Sequence, residues 1–269
     1  MTVEPSSPAE PTSSSAPFAQ ADARVPVAPL LPSGPAPGVW RPRSALALVL
    51  GVSLLNLLVG RIVRALSVPG IAAALVALGL FATFATLYVV ELGTVASVIH
   101  HAGGRVREAL GLRGPAAPGA WLAVAAVSAL AARAFATAYA GFMITMGWRL
   151  QGWDSDPTRF FPTGLVGSLV LVFVVVVAAP VAEEVVFRGV LLPSLSRWLG
   201  EGWGIAVTSI VFAALHLNAF SFVPVLVVAW ILALLYRRSG SLLVSIAGHA
   251  AFNALGILVV LLLRGSGAM

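Results

Sequence analysis

The sequence predicts an all-α polytopic membrane protein, a bundle of about seven transmembrane helices (seven to eight) with its chemistry inside the bundle. Three observations carry this. Of 269 residues, 59% are hydrophobic and only 10% charged, with a mean hydropathy of +0.98, whereas roughly a quarter of a soluble domain is charged. Seven apolar runs approach or exceed the ~20 residues a helix needs to cross hydrocarbon. Within those runs, the polar chemistry gathers in three short strings of the last third: EEVVFR at 183–188, FAALH at 212–216 and HAAFN at 249–253.

Residues 1–40 hold nine of the eighteen prolines, mixed with serine, alanine and threonine. Such a stretch buries too little apolar surface to offset the entropy of ordering, so a disordered cytoplasmic tail is expected. It is not read as a secretory signal, since the first long apolar run starts only near Ser44. The runs then fall at 44–60, 69–91, 121–147, 164–188, 204–220, 222–236 and 241–263. This divides the chain into the tail, an N-terminal set of three spans over 41–160, and a core over 161–264 that holds the three polar strings.

With no cysteine, the chain has no disulfide framework, no thiolate metal site and no cysteine nucleophile. All sixteen basic residues are arginine, and alanine, glycine and valine abound, a composition that points to a GC-rich bacterial source. The net charge of +6 is no sign of nucleic acid as a partner, because the arginines are spread through the short connections between spans. With the N-terminus inside a bacterial cytoplasmic membrane, Arg24, Arg41, Arg43, Arg105, Arg107, Arg113, Arg188, Arg197, Arg237 and Arg238 fall inside. Arg61, Arg64, Arg149, Arg159 and Arg264 fall outside, and Arg133 lies in a span. Ten against five favours that orientation. Six of seven tryptophans, Trp40, Trp121, Trp148, Trp153, Trp198 and Trp203, sit at or just beyond span ends, as interfacial anchors do.

Several ionisable groups at membrane depth are costly, at least ~2.5 to 3.5 kcal/mol each, and call for partners or a role. Adjacent helical residues point about 100° apart, so Glu183 and Glu184 cannot serve one face. Arg188 follows Glu184 by four residues, the favourable acid-before-base order, which assigns Glu184 to an ion pair and leaves Glu183 to the bundle interior. Counted at ~1.5 Å per residue from the inner end of each span, Glu183 lies ~8 to 9 Å deep, His249 ~12 Å, and His216 and Asn253 ~18 Å. One layer can hold all four, and His249 and Asn253 share a helix face. A carboxylate with imidazoles suits hydrolysis by activated water: Glu183 as general base, His216 on the same water, His249 and Asn253 donating to the oxyanion. A zinc or other divalent ion held by Glu183, His216 and His249 is the second arrangement, left open here even though HExxH is absent.

These three strings, in this order, resemble the EExxxR, FxxxH and HxxxN motifs of the CPBP family of intramembrane proteases, also called Abi or CAAX-protease-like, which includes prenyl endopeptidases. The resemblance covers about 164–260. It implies a membrane-embedded peptidase with Glu183, His216, His249 and Asn253 at active-site positions and Glu184 and Arg188 in support. Members are commonly labelled metalloproteases, while a glutamate-based mechanism without metal is argued for the prenyl-processing branch. The expected partners are a peptide or membrane-protein substrate and the lipid bilayer; the oligomeric state is not read from the sequence. Two other classes compete: a non-catalytic immunity or scaffold protein, and a proton-coupled transporter, for which no internal repeat speaks.

The other polar residues have plainer readings. His100 and His101 are expected in a loop facing water, and Arg133 as a snorkelling cation or a partner of Glu91. Gly189 reads as a helix end or a close packing point, Phe187 and Phe212 as packing around the site, and Arg237 and Arg238 as a turn that holds topology.

Overall fold

The computed structural model describes Met1 and residues 40–65, 73–148 and 164–265. Among these the chain forms eight helices and no strand. They are α1 (Pro42–Ala65), α2 (Ala73–His101), the single turn α3 (Val106–Ala109), α4 (Pro118–Thr145), α5 (Leu165–Leu199), α6 (Glu201–Leu215), α7 (Phe222–Ser239) and α8 (Leu242–Gly265). α2, α4, α5, α7 and α8 are long and apolar enough to cross a membrane, while Pro42–Leu58 of α1 and Glu201–Leu215 are shorter apolar helices. Each of the seven apolar runs thus lies on its own helix. The tail, Arg24, Arg149, Trp153 and Arg159 lie outside the described residues.

Lipid, not water, solvates the outside. α1 exposes Leu46, Leu50, Leu54 and Leu58 at a four-residue spacing, while Ala45 and Val49 on its other face are fully buried. The central core joins those two to Val95 and Ile99 of α2, Val186 and Val190 of α5, Phe212 of α6 and Ala233 of α7. Elsewhere close approach depends on small residues, as membrane helices require. Ala125 of α4 faces Gly248 of α8, where a Cβ would stand 2.9 Å from Leu235 Cδ1 and 3.7 Å from the Ala125 Cβ.

Several expectations are corrected. α5 does not end at Arg188 but runs eleven residues further, to Leu199, so the depth of Glu183 reckoned from 188 is too small. Hydropathy falls after Arg188, yet Leu191, Leu192 and Leu195 are buried against the core and keep the helix going. His100 and His101 are not in a loop but end α2, which continues ten residues past Glu91. α6 stops at Leu215, so residues 216–220 are not helical. Trp40 is buried at 5% exposure, not an interfacial anchor: its carbonyl accepts from Arg197 Nη2 at 3.2 Å. Trp148, Trp198 and Trp203 are exposed.

Candidate active site

α5 is the element that carries the paired glutamates, and its local geometry follows from its prolines. Pro180 cannot donate to the carbonyl four residues back and crowds it, as does Pro193. The helix widens into π-turns over Phe173–Ala178 and Val185–Leu191, on either side of an ordinary α-helical stretch, Ala179–Glu184. Such wide turns leave carbonyls for other partners and are frequent at functional sites. Here Val175 O accepts from Asn253 Nδ2 of α8 at 2.8 Å. Gly189 lies in the second wide turn and is a close packing point, since a Cβ there would stand 2.8 Å from Leu110 Cδ2.

Glu184 is fully buried and fully occupied. Arg188 Nη1 donates to its Oε1 at 2.7 Å, the expected i, i+4 pair, and His249 Nδ1 donates to the same oxygen at 2.9 Å. Ser245 Oγ reaches its other oxygen. Arg188, equally buried, also donates Nη2 to Ala229 O at 2.9 Å and stacks its guanidinium 4.8 Å from the Phe212 ring centroid. One ion pair therefore ties α5, α7 and α8 together, with α6 supplying the aromatic face. Burying such a pair stabilises only when the remaining donors and acceptors are met, and losing one partner costs about 3 to 5 kcal/mol.

Glu183 points elsewhere, with its side chain 34% exposed. His249 lies between the two glutamates: Nδ1 is committed to Glu184, and Nε2 faces Glu183 Oε2 across 3.8 Å. That gap is too long for a direct hydrogen bond. A polar separation of this size is one that a water can bridge. His216 is set by the abrupt end of α6: its Nδ1 donates to Phe212 O at 2.8 Å, which leaves Nε2 available. The next residue, Leu217, turns the chain at φ 51, an uncommon conformation for a non-glycine residue. The Phe212 ring lies 4.9 Å from the His216 ring and 6.0 Å from the His249 ring, with Phe187 packed on it at 4.8 Å. Glu183, Glu184, Arg188 and His249 are thus brought together directly, His216 joins them through Phe212, and Asn253 reaches α5 one segment earlier.

Among the described residues no three His, Asp or Glu side chains stand close enough to hold one ion. The Nδ1 of each histidine is held by a protein acceptor, which orients the ring and leaves Nε2 as its outward nitrogen.

Residues 165–255 match the model of a protein family described as type II CAAX prenyl endopeptidase Rce1-like. This segment belongs to the CAAX-protease (CPBP) family. No curated protein and no solved structure matches the chain. The CAAX-protease segment spans α5, α6, α7 and α8 up to Leu255, the part of the chain that holds all six site residues. The match makes this segment similar to a membrane protease, and the long apolar helices make the chain a multi-pass membrane protein.

Sequence reasoning missed Ser245, whose serine sits one helical turn before His249 on the same face of α8, a spacing that was available as a signal. Of the readings given for Arg133, a pair with Glu91 is not seen among the described residues. Arg133 Nη2 donates to Phe252 O at 2.9 Å, and its guanidinium lies 3.9 Å over the Phe252 ring. Glu91 of α2, outside the CAAX-protease segment, is buried at 5% exposure and within electrostatic reach of Glu183.

Proposed function

We propose that this protein is an intramembrane endopeptidase that cuts a peptide or membrane-anchored protein with a water activated by Glu183. The observation that carries the reading is the chain Glu184, His249, Glu183, in which the buried glutamate holds one ring nitrogen and the half-buried glutamate faces the other across 3.8 Å. Glu183 removes a proton from the water as its oxygen attacks the scissile carbonyl carbon. The Nε2 of His216, with its Nδ1–H on Phe212 O, accepts a hydrogen bond from that water. With both nitrogens protonated, His249 gives Nδ1–H to Glu184 and directs Nε2–H at the oxyanion, where the second amide hydrogen of Asn253 adds to it. The proton held by Glu183 then passes to the departing amide nitrogen as the C–N bond breaks. Glu184 and Arg188 position His249 and touch no substrate. No metal is required by these steps.

The test is cleavage of a quenched fluorescent peptide panel by purified protein in detergent. Glu183→Gln is expected to lower kcat by about 10² to 10⁴, with the protein still inserted and folded, while a strong chelator leaves the wild type active. Full activity in Glu183→Gln overturns the proposal. Loss with chelator, restored by zinc, transfers the reaction to a metallopeptidase.

A further inference from the structure

We infer that the cleft between α1 and α2 is a substrate subsite for a basic side chain, selected by Glu91; the inference rests on the endopeptidase reading above. The cleft encloses about 290 Å³, near the lower size of ligand pockets. Its walls are aliphatic, Leu48, Val52 and Leu55 from α1 and Leu87 and Val90 from α2, with Asn56, Glu91 and Thr94 as its polar residues.

The polar groups all offer acceptors. Thr94 Oγ donates to Val90 O at 2.7 Å and Asn56 Nδ2 to Val52 O at 3.1 Å, which leaves the hydroxyl oxygen and the amide oxygen as acceptors. Glu91 has a carboxylate only 5% exposed and takes no hydrogen bond or ion pair among the described residues. The groups within its electrostatic reach are Tyr88, one turn earlier on α2, and Glu183 on α5, neither of them a cation. The buried arginines of the core are committed elsewhere, Arg188 to Glu184 and Ala229 O, Arg133 to Phe252 O. An unpaired carboxylate at membrane depth, beside a second carboxylate, calls for a positive partner. None of the described residues supplies one.

A lysine or arginine side chain fits what remains, because its methylene stem lies along aliphatic walls while its head takes several acceptors. Glu91 lines the cleft and lies within electrostatic range of Glu183, so a cation seated there also feels the reacting carboxylate.

The experiment reads binding without turnover. An apolar fluorescent peptide carrying one central lysine, and its norleucine counterpart, are titrated by anisotropy into the Glu183→Gln protein in detergent, alone and combined with Glu91→Gln or Gly51→Phe. A Cβ at Gly51, which lines the cleft, meets nothing within 4 Å, so a larger side chain starts into open space there. The lysine peptide is expected to bind roughly 10- to 100-fold tighter than the norleucine peptide, the difference a charge-assisted bond supplies. Both Glu91→Gln and Gly51→Phe should close that gap. Equal affinities, or a gap that survives Glu91→Gln, overturn the assignment; weakening of both peptides alike by Gly51→Phe makes the cleft a seat for an apolar chain instead and overturns it too. Because this readout needs no cleavage, failure here is separate from failure of wild-type protein to cut any peptide, which would strike the endopeptidase reading.

Discussion

Glu184 concentrates the energetics of the site in one carboxyl group. Its three partners come from α5 and α8 and all lose a bond if it is removed. Glu184→Ala leaves the Arg188 charge buried with only Ala229 O, so destabilisation of about 3 to 5 kcal/mol is expected, read as a fall in thermal midpoint in detergent. Glu184→Leu with Arg188→Met replaces the pair by apolar groups of similar size and should recover much of that loss. It should not recover cleavage, because His249 is then unheld. The split between stability and activity is the check: if the double variant cleaves normally, Glu184 has no positioning role. Asn253 is answerable the same way. Asn253→Leu orphans Val175 O and should cost about 1 to 3 kcal/mol. Asn253→Asp, which can no longer donate to Val175 O or to an oxyanion, should in addition lower kcat more than it raises KM.

At the scale of the element, α5 shows what a sequence reveals and what it hides. The apolar windows made the spans legible, and the Glu184 to Arg188 spacing made the division between the glutamates legible, because both are local properties of one helix. The π-turns and the full length of α5 were not, although Pro180 stands three residues before Glu183 and Pro193 five after Arg188. A proline in an apolar run warns of a break; whether the helix ends or widens depends on neighbours such as Asn253, which come from α8. Likewise the pairing of Arg133 with Phe252 O, and the lack of a partner for Glu91 among the described residues, are settled by tertiary contacts that no spacing encodes. The widening has a measurable consequence. Pro180→Ala restores a donor and removes the ring, which should favour regular α-helix through Phe173–Ala178 and turn Asn253 away from Val175 O. Raised or unchanged thermal stability with at least tenfold lower kcat is the expected result. Unaltered kcat would mean that the wide turn does not set the site. Gly204 sets the other boundary of this element, since a Cβ there would stand 2.7 Å from Ser196 Cα. Gly204→Val should therefore pry α6 from α5 and be recovered in low yield.

Across the whole molecule, a set of contacts gathers the connections at one end of the bundle. Arg237 Nε donates to Glu201 Oε1 at 2.7 Å, joining the end of α7 to the start of α6. Leu242 N donates to Gly111 O at 2.9 Å and Arg113 Nε to Gly240 O at 3.3 Å, which clasps the connection before α4 onto the turn between α7 and α8. Trp40 O accepts from Arg197 Nη2, which fastens the start of α1 to the end of α5. This end carries Arg41, Arg43, Arg105, Arg107, Arg113, Arg197, Arg237 and Arg238, whereas Arg188, grouped with them by sequence, is buried in the bundle. Removing it from the tally leaves nine arginines against five. By the positive-inside rule that excess predicts a cytoplasmic location for this end. Reporter fusions after Arg238 should therefore read cytoplasmic and fusions after Gly265 exported. The reverse pattern would place the half-buried Glu183 under the outer leaflet and move its substrates to exported chains. Replacing Arg105, Arg107 and Arg113 together by glutamine tests whether charge alone sets the direction. If it does, a mixed population should appear in the reporter assay, while a single unchanged orientation would show that the clasp among α3, α7 and α8 fixes it after insertion.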